Sequence, residues 1–359
     1  MEAQTLLDNI QELSDLELGV LLSLIAQGHC LMTTDDDLVD DLASELSLIA
    51  SERFGLSYAV LSPEDLTSLD RFSEAILDDQ KDQFSSENHV QFTSHLASLD
   101  VQARPKPTER GSTNGLDNRM IKNVIIAKGF NFADHYVQVQ AIEIINNHRM
   151  FTRTTVHITQ KTFLFIPIVT ASTKQVQLIP HLNDRIFISH YHLAEDGFAN
   201  LEELDQSETS DKDSGPSKQR SSWESAQKSK IITRQVIDKI RAMGELAGMT
   251  PEIRRYLSDI VTFLRLERGV DGGITPRAST QFVALAKYLT PLHGINFVTP
   301  SLVALAARKI YPHRIVIAEP ARERSMQYGS DPTAVVEFLE GMTPQDVIET
   351  VLNTVPGPI

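Results

Sequence analysis

Few residues of this chain have both the type and the spacing to do chemistry. Three consecutive acids, Asp35, Asp36 and Asp37, follow the run His29-Cys30-Leu31-Met32. Carboxylates so placed could bridge a divalent metal, or could favour the positive end of a helix that begins there. Lys128 ends the apolar run Val124-Ile125-Ile126-Ala127, where its ammonium could meet a phosphate or pair with a nearby acid. Arg277 falls in the first turn of a helix marked by Thr275-Pro276. A cation there opposes the helix dipole, at up to ~1 kcal/mol, unless an anion is near. A ligand would supply that anion, or an acid such as Asp271. His190 and His192 alternate as two imidazoles on one strand face do, with Glu195 and Asp196 beyond, but no third and fourth metal ligand is evident. No metal site is assigned. Cys30 has no histidine placed to activate it, and no serine lies in a G-x-S-x-G setting, so nucleophilic catalysis has no support.

The elements that must position these residues follow from periodicity. Apolar residues recur at helical spacing over 5–26, and Gly28 stops that helix or helix pair. A short strand over 29–32, a helix over 38–52 and a strand over 56–61 come next. That alternation signals an α/β layer with a parallel sheet. Residues 80–120 are polar and carry Pro105, Pro107, Gly111 and Gly115, which reads as a flexible insert. A strand over 124–127, a helix over 134–148, strand-like runs over 151–158 and 163–169, and a strand over 185–190 complete the first unit, residues 1–204. Residues 205–229 are rich in Ser, Asp and Lys and read as a disordered linker. From 230 to 359, Thr250-Pro251, Thr275-Pro276, Thr299-Pro300 and Thr343-Pro344 each offer a threonine cap followed by proline at the first helical position. They describe an all-α domain.

The chain has 359 residues, of which 41% are hydrophobic, enough for about two compact units. A single cysteine leaves no disulfide within the chain, which suits a reducing compartment. No apolar stretch approaches the ~20 residues that span a bilayer. The acidic amino terminus does not resemble a presequence, so a cytoplasmic or nuclear location is expected. Of the net charge of −15, residues 1–80 alone contribute −16. Such a surface repels phosphate backbones, so nucleic acid is not an expected partner.

A family resemblance enters at the carboxy-terminal domain. Residues 269–279, Gly-Val-Asp-Gly-Gly-Ile-Thr-Pro-Arg-Ala-Ser, then Phe297-Val298-Thr299-Pro300-Ser301-Leu302-Val303 and Pro312-His313-Arg314-Ile315 resemble the helical lid of the magnesium-chelatase and MoxR branch of AAA+ ATPases. The resemblance implies that Arg277 is the second sensor, an arginine that touches nucleotide phosphates. Leu182-Asn183-Asp184-Arg185 resembles the segment whose arginine faces the neighbouring subunit, so Arg185 would act in trans, or form a structural pair with Asp184. Residues 123–150 resemble the Walker B strand and the next helix in Asn131, Ala133, Gln138 and Glu143. Where the family has its magnesium-ordering aspartate and water-activating glutamate, however, this chain has Lys128 and Gly129. Neither can bind a hard cation or act as a general base. Residues 28–38 occupy the Walker A position without its glycines or lysine, and the three aspartates stand where the triphosphate would sit.

The expected fold is therefore an AAA+-like three-layer parallel-sheet domain followed by an all-α lid. The leading functional expectation is a hydrolysis-deficient member of this family acting as an assembly or regulatory module, with protein partners or as a homo-oligomer. Two alternatives stand beside it: a magnesium-chelatase-type ATPase working with a partner subunit, and a non-enzymatic binding adaptor. No catalytic residue is assigned. Arg277, Arg185 and Lys128 are the cofactor-contact candidates, with any ATP and Mg²⁺ bound weakly or in trans.

Overall fold

The computed structural model describes residues 12–78, 119–152, 155–170, 178–202, 204 and 232–358. The expected linker over 205–229, the amino-terminal part of the first helix, and nearly all of the expected insert over 80–120 lie outside the described residues.

The first helix, α1 (Asp15–Ala26), starts at Ser14. The Ser14 hydroxyl accepts from the Glu17 N–H, and the Glu17 carboxylate accepts from the Ser14 N–H, two otherwise orphan donors satisfied reciprocally. Leu16, Val20, Leu21, Leu22, Leu24 and Ile25 are all buried. A helix apolar around its circumference must be covered on every side, and α1 lies between the sheet and the carboxy-terminal helices. It ends at Gln27 in the left-handed region. Gly28 follows because a Cβ there would stand 2.5 Å from Phe187 Cβ.

The chain continues through β1 (Cys30–Thr34), α2 (Val39–Leu48), β2 (Tyr58–Leu61), α3 (Leu69–Ala75), β3 (Val124–Ala127) and α4 (His135–Asn147). Next come β4 (Arg149–Phe151), β5 (Val156–Ile158), β6 (Leu164–Thr170), the single turn α5 (Pro180–Asn183) and β7 (Ile188–Tyr191). In place of one strand over 151–158, β4 and β5 pair antiparallel as a separate two-stranded sheet. The main sheet has the order β2-β3-β6-β1-β7 and is parallel throughout. Its register places Tyr58 beside Val124, Ile126 beside Ile166, and Met32 between Ile168 and His190. β3 and β6 are buried along their whole length, as strands covered on both faces are. β6 runs through Pro167 rather than ending at it.

The topology sets where a ligand would be held. After β1 the chain leaves to one side to build β2 and β3. After β6 it crosses β1 to add β7 on the other side. The carboxyl ends of β1 and β6 therefore flank a switch point, where open α/β sheets place their ligands.

The carboxy-terminal region is helical: α6 (Arg234–Glu245), α7 (Pro251–Leu266), α8 (Pro276–Leu292), α9 (Pro300–Ile310), α10 (Pro332–Leu339) and α11 (Pro344–Thr354). Two short strands, β8 (Val270–Gly272) and β9 (Val316–Ile317), pair antiparallel beside them. All four Thr-Pro signals start helices as expected. Thr250, Thr275, Thr299 and Thr343 accept from the N–H groups of Ile253, Ala278, Leu302 and Asp346. One apolar cluster runs from α1, α2 and one sheet face into α7, α8 and α9, while a second covers the opposite sheet face. The two parts of the chain share a core.

Candidate functional site

At the carboxyl end of β1, Asp35 has an extended backbone and its carboxylate makes no capping hydrogen bond. Asp36 and Asp37 form the start of a 3-10 turn that leads into α2, whose own first turn carries Asp40 and Asp41. All five side chains are exposed. The expected favourable placement of acids in a helix first turn is therefore present, without a side-chain cap. From Thr33 to Phe54 there is no glycine, and the turn offers carboxylates where a phosphate cradle would offer N–H groups.

Lys128, just past β3, directs its Nζ to Asp40 Oδ1 at 2.7 Å. The cation at the end of β3 thus pairs with an anion at the start of α2. A nucleotide site of the resembled family has the opposite arrangement, a lysine at the start of the helix after β1 and an acid after β3. Tyr191, at the end of β7, stands 3.4 Å from Asp35 through its hydroxyl. Desolvation, then the Asp35 charge and that contact, raise the tyrosine pKa. Sequence reading missed both Asp40 and Tyr191. Neither lies in a motif, and only the sheet brings them to this face.

Arg185 and Arg277 lie elsewhere. The Phe187 N–H donates to the His29 carbonyl at 2.8 Å, so the segment entering β7 lies at the amino end of β1. Six residue steps lead from Arg185 to Tyr191, roughly 20 Å along a near-extended chain. The structure therefore brings Arg185 and Arg277 together and leaves Lys128 at the other end of the sheet.

Asp184 is the centre of the second group. Its Oδ1 accepts from Thr275 Oγ1 at 2.5 Å, its Oδ2 is 3.6 Å from Arg277 Nε, and Arg314 Nη1 is 3.7 Å from Oδ1. The acid beside Arg277 is thus Asp184. Asp271 instead pairs with Arg322 at 3.0 Å, because β8 turns it away from the start of α8. Nor does Asp184 form its ion pair with Arg185. The lid arginines take it, and among the described residues Arg185 makes no ion pair. Burial, then repulsion from Arg277, lowers the Arg185 pKa, while Asp184 opposes the shift.

Arg314 is nearly inaccessible. It donates to the Ile186 carbonyl and to Gln281 Oε1, and its Nε is 3.1 Å from His313 Nε2. Burial lowers its pKa to about 10, with Asp184 the largest opposing influence. Gly273 makes this packing possible. Its φ of +97° lies in the region that favours glycine, and a Cβ there would fall 1.7 Å from the Arg314 carbonyl oxygen. The Pro-His-Arg-Ile signature was legible in the sequence, but its role as the bolt between lid and sheet was not.

The remaining candidates have the following surroundings. His190 and His192 are buried, with ring centroids 6.3 Å apart. His190 Nδ1 lies 3.1 Å from Lys309 Nζ, an ammonium where a metal would have to approach. Among the described residues no group of three or more His, Cys, Asp or Glu is arranged to hold a metal. Burial pushes the Cys30 thiol up to about 12, which removes the thiolate a nucleophile needs. Gln138 braces α4: its Nε2 donates to the Ala133 carbonyl and its Oε1 accepts from the Ile179 N–H. Glu143 stands 3.4 Å from Gln140 Nε2. Two acids that no motif marked, Glu17 and Glu45, are buried. Glu45 accepts from the N–H groups of Asn200 and Leu201, and Glu17 from Arg53 and Asn200. They tie α1 and α2 to the segment after β7.

Comparison with known proteins bears on the lid and the fold. The AAA lid domain family matches residues 263–336. A Kluyveromyces lactis protein named Maintenance of telomere capping protein 2 is 26% identical over 114 residues, covering 30% of this chain and 39% of that protein. Its namesakes from Lachancea thermotolerans and Saccharomyces cerevisiae are 34% identical over 95 and 93 residues, covering 33% and 26% of their own lengths. The match thus spans well under half of each of these relatives. A crystal structure of a proposed ATPase from Cytophaga hutchinsonii superposes with a TM-score of 0.60 at 14% identity, over 99% of this chain and 94% of that one. The fold is AAA+-like, a parallel-sheet α/β unit followed by a helical region that the AAA lid family matches. No helix among the described residues is long and apolar enough to cross a membrane.

Proposed function

We propose that this chain is a hydrolysis-deficient AAA+-type protein of the magnesium-chelatase and MoxR kind, acting as an assembly or regulatory module through protein contacts. One observation carries the reading. Where the fold would hold a triphosphate and its magnesium, five carboxylates stand over residues 35–41, and Lys128 at the end of β3 is engaged by Asp40. Residues 28–38 carry no run of glycines with a lysine to cradle phosphate, and Lys128 and Gly129 after β3 offer neither a metal-ordering acid nor a water-activating one. The division into an α/β unit through residue 204 and a lid from residue 230 belongs to this proposal, as does a cytoplasmic or nuclear setting. The name of the curated relatives extends it to a role in maintaining telomere capping. The acidic amino-terminal part favours protein partners over direct contact with nucleic acid in such a role.

Isothermal titration with ATP and Mg²⁺, beside a turnover assay, tests the proposal. No saturable heat and no phosphate release are expected. Micromolar binding with turnover at ordinary ATPase rates would overturn it. A second reading, a chelatase-type ATPase completed by a partner, is favoured by the adjacency of Arg185 and Arg277, which could serve a nucleotide held by another subunit. Turnover by a purified partner that rises on adding this chain, and is lost with Arg185→Ala, would select that reading.

A further inference from the structure

A cavity of about 200 Å³ opens between the end of α1, the entry to β6 and the start of α6. Gln27, Leu56 and Phe163 line it and stand just before β1, β2 and β6. The sheet is parallel, so the cavity lies at the amino ends of the strands, opposite the switch point. Its floor is apolar, with Leu24, Phe54, Phe163 and Ile237 all buried. Its rim is cationic. Lys161, Arg234 and Arg241 line it beside one acid, Asp238, on a chain whose net charge is −15. Arg241 is committed to the fold, donating to the Leu24 and Ile25 carbonyls at the end of α1 and to Asp238 at 2.7 Å. Arg234 is 3.8 Å from the other Asp238 oxygen. Lys161 is exposed, and among the described residues its ammonium makes no hydrogen bond or ion pair.

The backbone singles out the same place. Among the described residues, Gln27 and His148 are the two that have a positive φ without being glycine, 51° and 54°. They end α1 and α4 at a position that glycine adopts freely. Both line this cavity, so an amide and an imidazole stand at its wall where glycine would leave none. The His148 ring lies edge-on to Phe163, with centroids 6.5 Å apart, and Phe163 is edge-on to His29 at 5.7 Å. Size limits the occupant. An apolar cavity of ~150 Å³ takes one benzene ring, and a water's share of volume is ~30 Å³. This cavity therefore has room for one ring and one small polar group. Drug-sized ligands take ~300–1,000 Å³, so a nucleotide is too large.

We propose that this cavity is a binding site for a small aromatic carboxylate, its ring on Phe54 and Phe163 and its carboxylate held by Lys161 and Arg234. The ring continues the edge-to-face packing already present. The carboxylate supplies the second anion that three cations sharing Asp238 lack, in charge-assisted hydrogen bonds. Because Arg234 and Ile237 belong to α6 while Phe54 and Phe163 flank the sheet, the bound ligand ties α6 to the sheet and raises stability by mass action. The site is independent of what the switch point binds.

Isothermal titration of the full chain with benzoate tests it, beside benzamide, which keeps the ring without the charge, and acetate, which keeps the charge without the ring. Saturable benzoate binding is expected at about 1 mM or tighter, at least about tenfold tighter than either control. Lys161→Met should weaken benzoate about tenfold, and adding Arg234→Gln should abolish saturation. The ligand-free melting temperature should not change with Lys161→Met, because that ammonium holds nothing in the fold. Lys287→Met, on α8 and outside the cavity, should leave benzoate binding as it is. No saturable benzoate binding, equal affinity for either control, or a folded Lys161→Met variant that binds benzoate as the natural chain does overturns the site. None of these outcomes bears on ATP binding or turnover, so the proposed function stands or falls separately.

Discussion

The lid hinge and the carboxyl end of the sheet are built from the same kinds of side chain and differ in where those side chains sit. At the hinge, Arg314 is buried, Asp184 is part-buried, and the polar contacts cross between the lid and the segment entering β7. At the other end, Asp40 is 83% exposed and Lys128 is 23% exposed, so water reaches the pair from the Asp40 side. A buried charge that loses its partner is strongly destabilising, whereas an exposed ion pair contributes ~0–1 kcal/mol. The fold therefore depends on the hinge residues and asks almost nothing of residues 35–41 or Lys128. Substitutions at the switch point should leave the architecture standing.

That contrast can be broken most directly at Gly273. Gly273→Ala adds a Cβ to a backbone at φ +97° that would overlap the Arg314 carbonyl. It should cost roughly 4 kcal/mol or prevent folding, read from denaturant midpoints. A loss below about 1 kcal/mol would show that the hinge yields easily and that the contrast is misplaced. Asp184→Ala should cost about 3 kcal/mol, because it leaves Arg314 without its carboxylate. Limited proteolysis should then release the lid more readily.

A pH series sharpens the same comparison. Burial first, then the Lys309 charge, lowers the His190 pKa to about 4. The unfolded chain takes up that proton near 6.5 and the native chain only near 4. This contribution to stability is therefore intact above about 6.5 and lost as pH falls towards 4, at up to ~1.4 kcal/mol per pH unit. His190→Gln should flatten that part of a melting-temperature profile, and an unchanged slope would contradict the buried neutral imidazole. The smallest effect belongs to Lys128→Met, below about 1 kcal/mol, because Asp40, its partner, is 83% exposed and stays hydrated without it. A loss of several kcal/mol there would erase the distinction between the two ends.

Local signals were legible wherever one segment held the whole cause. The four Thr-Pro helix starts, the apolar runs of β1, β3 and β6, and the lid signature around Arg277 each follow from residues within a few positions of one another. The missing glycines and lysine after β1, and Lys128 in place of an acid, could likewise be read without a structure. Pairing across the fold could not. Asp184 rather than Asp271 meets Arg277 because α5 and the start of β7 carry it under the lid. Asp40 rather than some other acid meets Lys128 because α2 begins beside the end of β3. His190 and His192 are buried because the lid, through Lys309, and Phe198 cover the end of β7. Sequence by itself determined which residue types stand at each strand end, since composition and local spacing are properties of the chain alone. Which charges meet, and at which end of the sheet, was decided by strand order, because parallel crossovers bring together residues far apart in the chain.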